Sequence, residues 1–234
     1  MAGQIALITG AGGAIGLGIA DRLLTAGAVV ALGDVDQDRL NVVREILAEK
    51  FGPERIEVLP FDVTDFDSVT TAMDWISCRL GGLDLLVPNA GIAHVSSIQD
   101  LDPDRMDRVM AVNFKGVFHL LKAAIPVFRR QGAGGNVVIV STKNVFDPGA
   151  SFGAYSASKA AAHQLGKIAA LEMAAYGVRV NMLNPDAIFG DDRVSSKLWD
   201  LVGPDRMRSR GLDPAGLREY YRRRNLLQVT VTAE

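Results

Sequence analysis

The stretch Ile5-Ala6-Leu7-Ile8-Thr9-Gly10-Ala11-Gly12-Gly13-Ala14-Ile15-Gly16 is the part of this sequence that decides the fold. A short apolar segment runs straight into a glycine-rich turn, and the spacing of Ile15, Ile19 and Leu23 then predicts a helix. Such a turn lets the main chain approach a pyrophosphate and points the free N–H groups of the helix at its charge. Taken alone, the glycines could also form a flexible turn without a ligand. The order strand, turn, helix favours a dinucleotide site instead.

Short apolar segments recur along the rest of the chain, at Val29–Leu32, Ile56–Leu59, Leu85–Val87, Val137–Val140 and Val178–Leu183. Most are continuous rather than alternating, which is typical of parallel strands covered on both faces. Helix-like stretches lie between them. This alternation predicts one α/β domain, residues 1–234, with a Rossmann-type, doubly wound parallel sheet and helices on both faces. Ligands of such sheets bind at the carboxyl ends of the strands.

Composition narrows the class of protein. The 234 residues are 48% apolar, and 25 Lys and Arg balance 27 Asp and Glu, so we expect no nucleic-acid partner. We also expect no targeting segment, no membrane span and a cytoplasmic location. The single cysteine, Cys78, cannot form an internal disulfide and is expected to be a buried, inert thiol. His94, His119 and His163 lack the spacing and acidic companions of a zinc site, so no metal is expected.

Asp34 closes the second apolar segment, 18 residues after Gly16. At this position a carboxylate can accept hydrogen bonds from both hydroxyls of an adenosine ribose. A 2′-phosphate would face like charge there, and the turn from Gly10 to Gly16 contains no Lys or Arg to offset the repulsion. The sequence therefore favours NAD as cofactor over NADP.

Tyr155 and Lys159 lie four residues apart in an alanine-rich stretch that is predicted to be helical as far as about Tyr176. Residues at this spacing share a helix face. A phenol titrates near pH ~10, so it exchanges protons poorly at neutral pH unless a nearby cation favours its anion. Lys159 can be that cation. Taken alone, Tyr155 and Lys159 could also be solvated side chains on a helix surface without a catalytic role.

The chain resembles the short-chain dehydrogenase/reductase superfamily. Over nearly its whole length it carries that family's motifs in order, namely Thr9-Gly10 with Gly16, Asp62-Val63, Asn89-Ala90-Gly91, Asn113, Ser141-Thr142, Tyr155 with Lys159, and Asn184-Pro185. The resemblance implies a nicotinamide-dependent oxidoreductase in which Tyr155 is the general acid/base. Lys159 would lower the pKa of Tyr155 and hold the nicotinamide ribose. The Thr142 hydroxyl, where serine is usual, would bind the reacting oxygen, with Ser141 as the fallback.

Asn113 lies on the apolar stripe formed by Met106, Met110, Val117 and Leu121, where burying an amide is costly unless it finds partners. A satisfied core asparagine is one interpretation. The resemblance implies another, which we prefer: a helix distortion that holds a water molecule in a proton relay to Lys159.

The same resemblance implies the residues that contact the ligands. Asn89-Ala90-Gly91 would pack under the cofactor and Asp62 would lie near its adenine. The full set of expected cofactor-binding residues is Thr9, Gly10, Gly12, Gly13, Ala14, Ile15, Gly16, Asp34, Asp62, Val63, Asn89, Ala90, Gly91, Tyr155, Lys159, Pro185 and Asp186. Those expected near the substrate are Ser141, Lys143, Asn144 and His94. The chain departs from the family pattern at Ala14, Pro88, Thr142 and Asp186.

Thr142-Lys143-Asn144, Asn184-Pro185-Asp186-Ala187 and the segment from Glu219 to Leu227 resemble one subgroup, the dehydrogenase half of bifunctional rhamnulose-1-phosphate aldolase/alcohol (lactaldehyde) dehydrogenases. This implies an excised or free-standing half whose small-molecule substrate is a hydroxyaldehyde or polyol. Residues 188–228 are the expected substrate lid, and the usual C-terminal strand and helix are not seen after it. A homodimer or homotetramer is expected, with the alanine-rich helix packed against its copy.

The lid segment Pro204–Arg224 holds seven arginines against three acids. The excess could attract a phosphorylated or carboxylated substrate, although a solvated helix face explains it equally well. Two other functions also remain open. One is an epimerase or dehydratase, in which the nicotinamide is oxidised and reduced within one turnover. The other is a cofactor-binding protein without turnover.

Overall fold

The computed structural model describes residues 1–190 and 193–233. Asp191, Asp192 and Glu234 lie outside the described residues. The expected domain 1–234 is therefore described without these three residues, and the expected lid, 188–228, is described without Asp191 and Asp192.

Six strands form one sheet in the order β3-β2-β1-β4-β5-β6, and every neighbouring pair is parallel. The strands are β1 (Ile5–Thr9), β2 (Val29–Asp34), β3 (Ile56–Pro60), β4 (Leu85–Val87), β5 (Gly135–Val140) and β6 (Val178–Leu183). The prediction of a doubly wound parallel sheet is therefore confirmed, and the apolar segments mark its strands to within two residues at each end.

Helices cover both faces of the sheet. They are α1 (Ala14–Thr25), α2 (Gln37–Phe51), α3 (Phe66–Arg79), α4 (Pro103–Met110), α5 (Gly116–Gln131), α6 (Gly153–Met173), α7 (Lys197–Arg210) and α8 (Pro214–Arg224). One buried apolar cluster joins the sheet to α1 and α2, and a second joins it to α3, α5 and α6. The strands are apolar on both sides because each side faces one of these clusters.

Cys78 lies on the outer side of α3 and is exposed, so the expectation of a buried thiol is wrong. Among the described residues, one helical stretch, Pro103–Gln131, is long and apolar enough by length and composition to cross a membrane. Val117, Leu120, Leu121 and Phe128 of this stretch belong to the apolar core, which accounts for its composition without a membrane.

The two halves of the sheet meet between β1 and β4, where the loops that follow these strands are tied together. The Asn89 side chain donates to the carbonyl oxygens of Thr9 and Gly10 at 2.9 and 3.1 Å. The Thr9 hydroxyl accepts from the backbone N–H groups of Asn89 and Ala90 at 3.1 and 3.2 Å. Parallel sheets bind ligands in the crevice at such a reversal of strand order.

Gly10 is a position where only glycine fits. Its φ of +64° lies in the left-handed region, and a Cβ added to it would lie 2.7 Å from the Ala90 Cα. Both the backbone conformation and the close approach of the two loops therefore exclude a side chain.

We expect Gly10→Ala to lower the free energy of unfolding by about 3 kcal/mol or more, because it combines a left-handed backbone with a steric clash. Gly132→Ala is the matched control, since Gly132 also has a positive φ of +65° but has open space around it. Gly132→Ala should lower the free energy of unfolding by about 1 to 2 kcal/mol. Urea unfolding followed by circular dichroism measures both values, and equal losses would show that contact with Ala90 contributes nothing.

Candidate active site

A cleft of about 860 Å³ opens at the carboxyl ends of the strands, between the turn after β1, the loop after β4, the start of α6 and the lid. All the expected cofactor-binding residues except Thr9 line it, namely Gly10, Gly12, Gly13, Ala14, Ile15, Gly16, Asp34, Asp62, Val63, Asn89, Ala90, Gly91, Tyr155, Lys159, Pro185 and Asp186. Thr9 is buried beneath the cleft, where its hydroxyl holds the loop after β4. The structure thus gives Thr9 a supporting position rather than one in the wall.

The N-terminus of α1 faces this cleft without a side-chain cap. Gly13 precedes the helix and makes no side-chain hydrogen bond to it, whereas Asp36 caps α2 and Asp65 caps α3. The first N–H groups of α1 are therefore free to bind an anion. A Cβ on Gly16 would lie 2.6 Å from the Ala11 Cα, so the helix can start this close to the turn only with glycine there. These features fit the pyrophosphate of a dinucleotide.

The Asp34 carboxylate stands at the end of β2 and is oriented by the main chain. Its Oδ2 accepts from the Gly12 N–H and its Oδ1 from the Asp36 N–H, both at 3.1 Å. A carboxylate has about four acceptor positions, so both oxygens can still accept ribose hydroxyls.

Arg39, in the first turn of α2, is a residue that the sequence analysis missed. Its Nε donates to the carbonyl oxygen of Gly12 at 2.8 Å, so a cation does reach the phosphate turn, although none lies within the turn itself. Its position five residues after Asp34 was the available signal, but the direction of the side chain depends on how α2 packs against the turn.

Tyr155 and Lys159 both line the cleft from the first turns of α6, so they share a face of the helix as expected. Lys159 is only 5% exposed, and its Nζ donates to the carbonyl oxygen of Val140, the last residue of β5, at 2.8 Å. Burial lowers the pKa of Lys159 to about 8, because a charged ammonium is poorly solvated there. The side chain is still mostly charged at neutral pH.

Burial also raises the pKa of the Tyr155 phenol, and a hydrogen bond with the Thr142 side chain partly opposes this shift. Lys159 is not among the groups that lower this pKa, contrary to our expectation. The reason is that the ammonium donates to the end of β5, while the phenol is largely removed from water. In this structure Tyr155 is a neutral phenol at neutral pH.

Asn113 lies in a π-helical turn, Ala111–Lys115, between α4 and α5, and it is fully buried. Its side chain accepts from the Ile92 N–H at 2.8 Å and donates to the Ile92 carbonyl and the Ser158 hydroxyl, both at 2.9 Å. The helix distortion is therefore present, and the side chain is satisfied by these protein groups. A Cβ on Gly91 would lie 3.2 Å from Lys159 Nζ and 3.3 Å from Asn113 Oδ1, so glycine leaves room for both.

Of the residues expected near the substrate, the structure brings only Ser141 into the wall of the cleft, beside Thr142. Lys143 instead forms an ion pair with Asp147 at 2.8 Å, and the Asn144 N–H is bonded to the Thr142 hydroxyl. Neither of them lines the cleft, and His94 does not either. These three assignments are not supported. Lys143 and Asn144 lie in the 3-10 turn Lys143–Val145, outside the wall of the cleft, and His94 lies in the loop after β4 without reaching it.

The segment 188–228, which is the expected lid, contributes Ile188, Ser196, Leu198 and Trp199 to the cleft, and the sequence analysis had singled out none of these four residues. None of the seven lid arginines lines it. Arg206, Arg210 and Arg218 lie 4.8 to 5.1 Å from the ring centroids of Phe152, Tyr220 and Phe189, while Arg222 and Arg223 form ion pairs with Glu219. The cations in the wall are Lys159, Arg108 and Lys115. The structure therefore does not support an anion-attracting role for the lid arginines.

Across the described ranges 1–190 and 193–233, no group of three or more His, Cys, Asp or Glu side chains is arranged to hold a metal ion.

Comparison with known families and proteins shows what the chain is similar to. A family model described as short chain dehydrogenase matches residues 4–197. D-beta-hydroxybutyrate dehydrogenase of Rhizobium meliloti is 35% identical over 212 residues, which are 89% of this chain and 78% of that protein. The uncharacterized oxidoreductase YuxG of Bacillus subtilis is 29% identical over 231 residues, which are 99% of this chain but 33% of that protein. The chain thus spans about a third of the length of YuxG.

Several solved structures resemble the whole chain, and the names of two of them give a ligand or substrate. An NAD⁺-bound xylitol dehydrogenase superposes with a TM-score of 0.87 and 26% identity over 99% of this chain and 88% of that one. L-sorbose reductase from Gluconobacter frateurii, complexed with NADPH and L-sorbose, has the same TM-score of 0.87 and 26% identity, over 100% of this chain and 86% of that one.

We expect Lys159→Met to stabilise the protein without cofactor by about 1 to 3 kcal/mol at pH 7, because it removes a buried charge at the cost of one hydrogen bond. The pKa of Lys159 is about 8 in the folded chain against an ordinary value of 10.5, so the unfolded chain binds more protons between these values. Below pH ~8 burial of the charged Lys159 lowers the free energy of unfolding by its full amount. Between pH ~8 and ~10.5 the folded chain loses this charge first, so the free energy of unfolding rises with pH.

Thermal unfolding from pH 6 to 10.5 checks this, with Lys167→Met, an exposed lysine farther along α6, as control. The gain from Lys159→Met should shrink as pH rises through this window. A destabilised Lys159→Met variant, or a gain that does not change with pH, would contradict the expected cost of burying the ammonium.

Proposed function

The chain belongs to the short-chain dehydrogenase family of oxidoreductases, and we propose that it is an NAD-dependent dehydrogenase acting on a CH–OH group of a small alcohol, polyol or hydroxyaldehyde. The observation that carries the proposal is the meeting of Tyr155, Lys159 and Thr142 with the uncapped start of α1 in one cleft. This cleft combines a proton donor, a buried cation and an anion-binding turn.

The nicotinamide, when bound, accepts or supplies the hydride, and the chain's own residues manage the proton. In reduction, Tyr155 donates its phenolic proton to the carbonyl oxygen, for which its neutral form is the competent one. In the proposed reaction the Lys159 ammonium, which is buried and charged at neutral pH, lines the same cleft and supplies positive charge there. In oxidation the same groups act in reverse.

We assign Asn113 a positioning role in this reaction. Its side chain ties the loop after β4 to Ser158 of α6, next to Lys159, through hydrogen bonds of 2.8 to 2.9 Å. This link holds the helix that carries Tyr155 and Lys159 against the loop that forms the floor of the cleft. A water relay to Lys159 at the π turn remains part of the proposal.

The preference for NAD rests on Asp34. Its carboxylate lines the cleft at the end of β2 and keeps free acceptor positions for two ribose hydroxyls. A 2′-phosphate at this place would meet its negative charge. Structural relatives occur with both cofactors, since the xylitol dehydrogenase holds NAD⁺ and the L-sorbose reductase holds NADPH, so the residue at this position is the better guide.

A hydroxyl-bearing substrate is supported by Asp186. Asp186 lines the cleft, and among the described residues its side chain forms no hydrogen bond or ion pair, although its charge acts on the Tyr221 phenol. An unpaired carboxylate accepts hydrogen bonds from substrate hydroxyls and disfavours an anionic substrate. The relatives named for xylitol and L-sorbose act on polyhydroxylated molecules by their names. The greater length of YuxG is compatible with the dehydrogenase half of a bifunctional aldolase/lactaldehyde dehydrogenase.

We further propose self-association through α6. Ile168 and Leu171 are 43% and 80% exposed on its outer side, and the small residues Ala157 in the helix and Ala175 just after it are exposed too and allow close packing. A homodimer or homotetramer would cover them. The free thiol of Cys78 is consistent with a cytoplasmic location, where thiols stay reduced.

Tyr155→Phe tests the proposed chemistry. The purified chain is assayed with NAD and NADP against small polyols, lactaldehyde and sugar phosphates, and the variant is assayed on the best substrate. We expect kcat to fall about 10² to 10⁴-fold with cofactor binding retained, because only the proton-transfer group is removed. Tyr176→Phe, an exposed tyrosine just after α6, is the control.

The outcomes separate the competing functions. Net formation of NADH from an alcohol is incompatible with an epimerase or dehydratase. Binding of NADH without turnover on any member of the panel would favour a cofactor-binding protein, and full activity of Tyr155→Phe would remove Tyr155 from the mechanism.

Asp34→Ser tests the cofactor assignment. We expect the ratio of kcat/KM for NAD to that for NADP to fall about ten- to a hundredfold, because the repulsion of the 2′-phosphate and the ribose hydrogen bonds are lost together. Asp38→Ser, an exposed acid on α2, should leave the ratio unchanged. A wild-type chain that already prefers NADP would show that the role of Asp34 is misassigned.

A further inference from the structure

Arg39 connects parts of the chain that are far apart in sequence. It lies in the first turn of α2, where the Asp36 side chain accepts from its N–H at 3.2 Å, and the next residue, Leu40, is fully buried. From this fixed base its Nε donates to the Gly12 carbonyl at 2.8 Å, and its Nη2 donates to the Ser195 carbonyl at 3.0 Å. One side chain thus bonds both the phosphate turn and the lid.

In the glycine-rich turn, Arg39 contacts Gly12, whose N–H and carbonyl groups are both hydrogen-bonded to side chains. The N–H of Gly12 donates to Asp34 at 3.1 Å, and its carbonyl accepts from Arg39. A Cβ on Gly12 would lie 2.9 Å from the Cβ of Arg39, so the Arg39 side chain packs directly on Gly12 and leaves no space for a side chain there. A shift of the turn on ligand binding would therefore be transmitted directly to Arg39.

In the lid, Ser195 lies two residues before the start of α7. Val194 before it is 5% exposed and belongs to the apolar cluster of α1 and α2, and Ser196 after it caps α7 by accepting from the Trp199 N–H. Leu198 and Trp199, in the first turn of α7, line the cleft. Ser195 therefore lies just before the helical turn whose side chains line the cleft.

We propose that Arg39 is a positioning residue that couples the cofactor-binding turn to the lid. It keeps the start of α7 over the cleft and transmits occupancy of the turn to the lid, and it does so without touching substrate. The coupling rests on the proposed binding of a nicotinamide dinucleotide at this turn. Arginine suits the task because its planar fork presents donors in fixed directions, whereas a lysine at this position could make only one of the two bonds well.

Limited digestion with trypsin, with and without NADH, tests the coupling independently of turnover. Cleavage after Arg206, Arg208 and Arg210 in α7 is followed by mass spectrometry. In the wild type we expect NADH to slow these cleavages. In Arg39→Met we expect them to be about tenfold faster without ligand, because a charged hydrogen bond that holds the lid is lost, and NADH should protect less. Arg39→Lys should be intermediate.

Arg44→Met is the matched control, since Arg44 is exposed on the same helix and its loss also removes one trypsin site. It should digest like the wild type. Direct NADH titration and the melting temperature of each variant show whether the cofactor still binds and the fold is intact. Wild-type digestion and wild-type protection in a folded, NADH-binding Arg39→Met would overturn the coupling. Failure of every variant, wild type included, to bind NADH would instead overturn the proposed function.

For the kinetic readout, we expect Arg39→Met to raise KM for substrate about tenfold with kcat nearly unchanged, because the lid is displaced while the reacting groups stay in place. A fall in kcat with unchanged KM would contradict a role through the lid. Arg39→Lys should recover part of the KM change.

Discussion

The hydrogen bond from the Lys159 ammonium to the Val140 carbonyl is the interaction on which the rest of the site depends. It places a charge in the interior, at the end of a central strand, where burial reduces its pKa to about 8. A protein keeps such a group only if neighbouring elements leave room for it and provide acceptors. Gly91 leaves that room, and Asn113 holds the loop that carries Gly91 by two hydrogen bonds to Ile92. The start of α6, the end of β5 and the loop after β4 therefore form one unit around one cation.

The parallel sheet explains why this unit lies beside an anion-binding turn. All six strands run in the same direction, so the loops after β1, β4 and β5 emerge at one edge. Thr9 and Asn89 bind the first two of these loops together, and Gly10 allows them to touch. The uncapped α1 and the Lys159 ammonium then face one cleft, which is the arrangement that the proposed dehydrogenase needs.

Much of this was predictable from the sequence, because local patterns encode it. Continuous apolar segments identified the strands, and the residues of the glycine turn, Asp34, Tyr155 and Lys159 all line the cleft as expected. The failures involve long-range packing. Arg39 reaches a residue 27 positions away and another 156 positions away, which no local pattern reports. Lys143 was expected near the substrate but forms an ion pair with Asp147. The pKa of Tyr155 was expected to fall but rises, because the effect of burial is larger than that of Thr142.

A titration of Lys159 itself tests the central claim most directly. The ¹³Cε resonances of labelled lysines are followed by NMR from pH 6 to 12 in the protein without cofactor, and the Lys159 signal is assigned by its absence from a Lys159 variant. We expect this signal to titrate with a pKa near 8, well below the ordinary lysine value. A Lys159 signal that titrates near 10.5 would show that the ammonium is solvated and would contradict the buried, charged site described above.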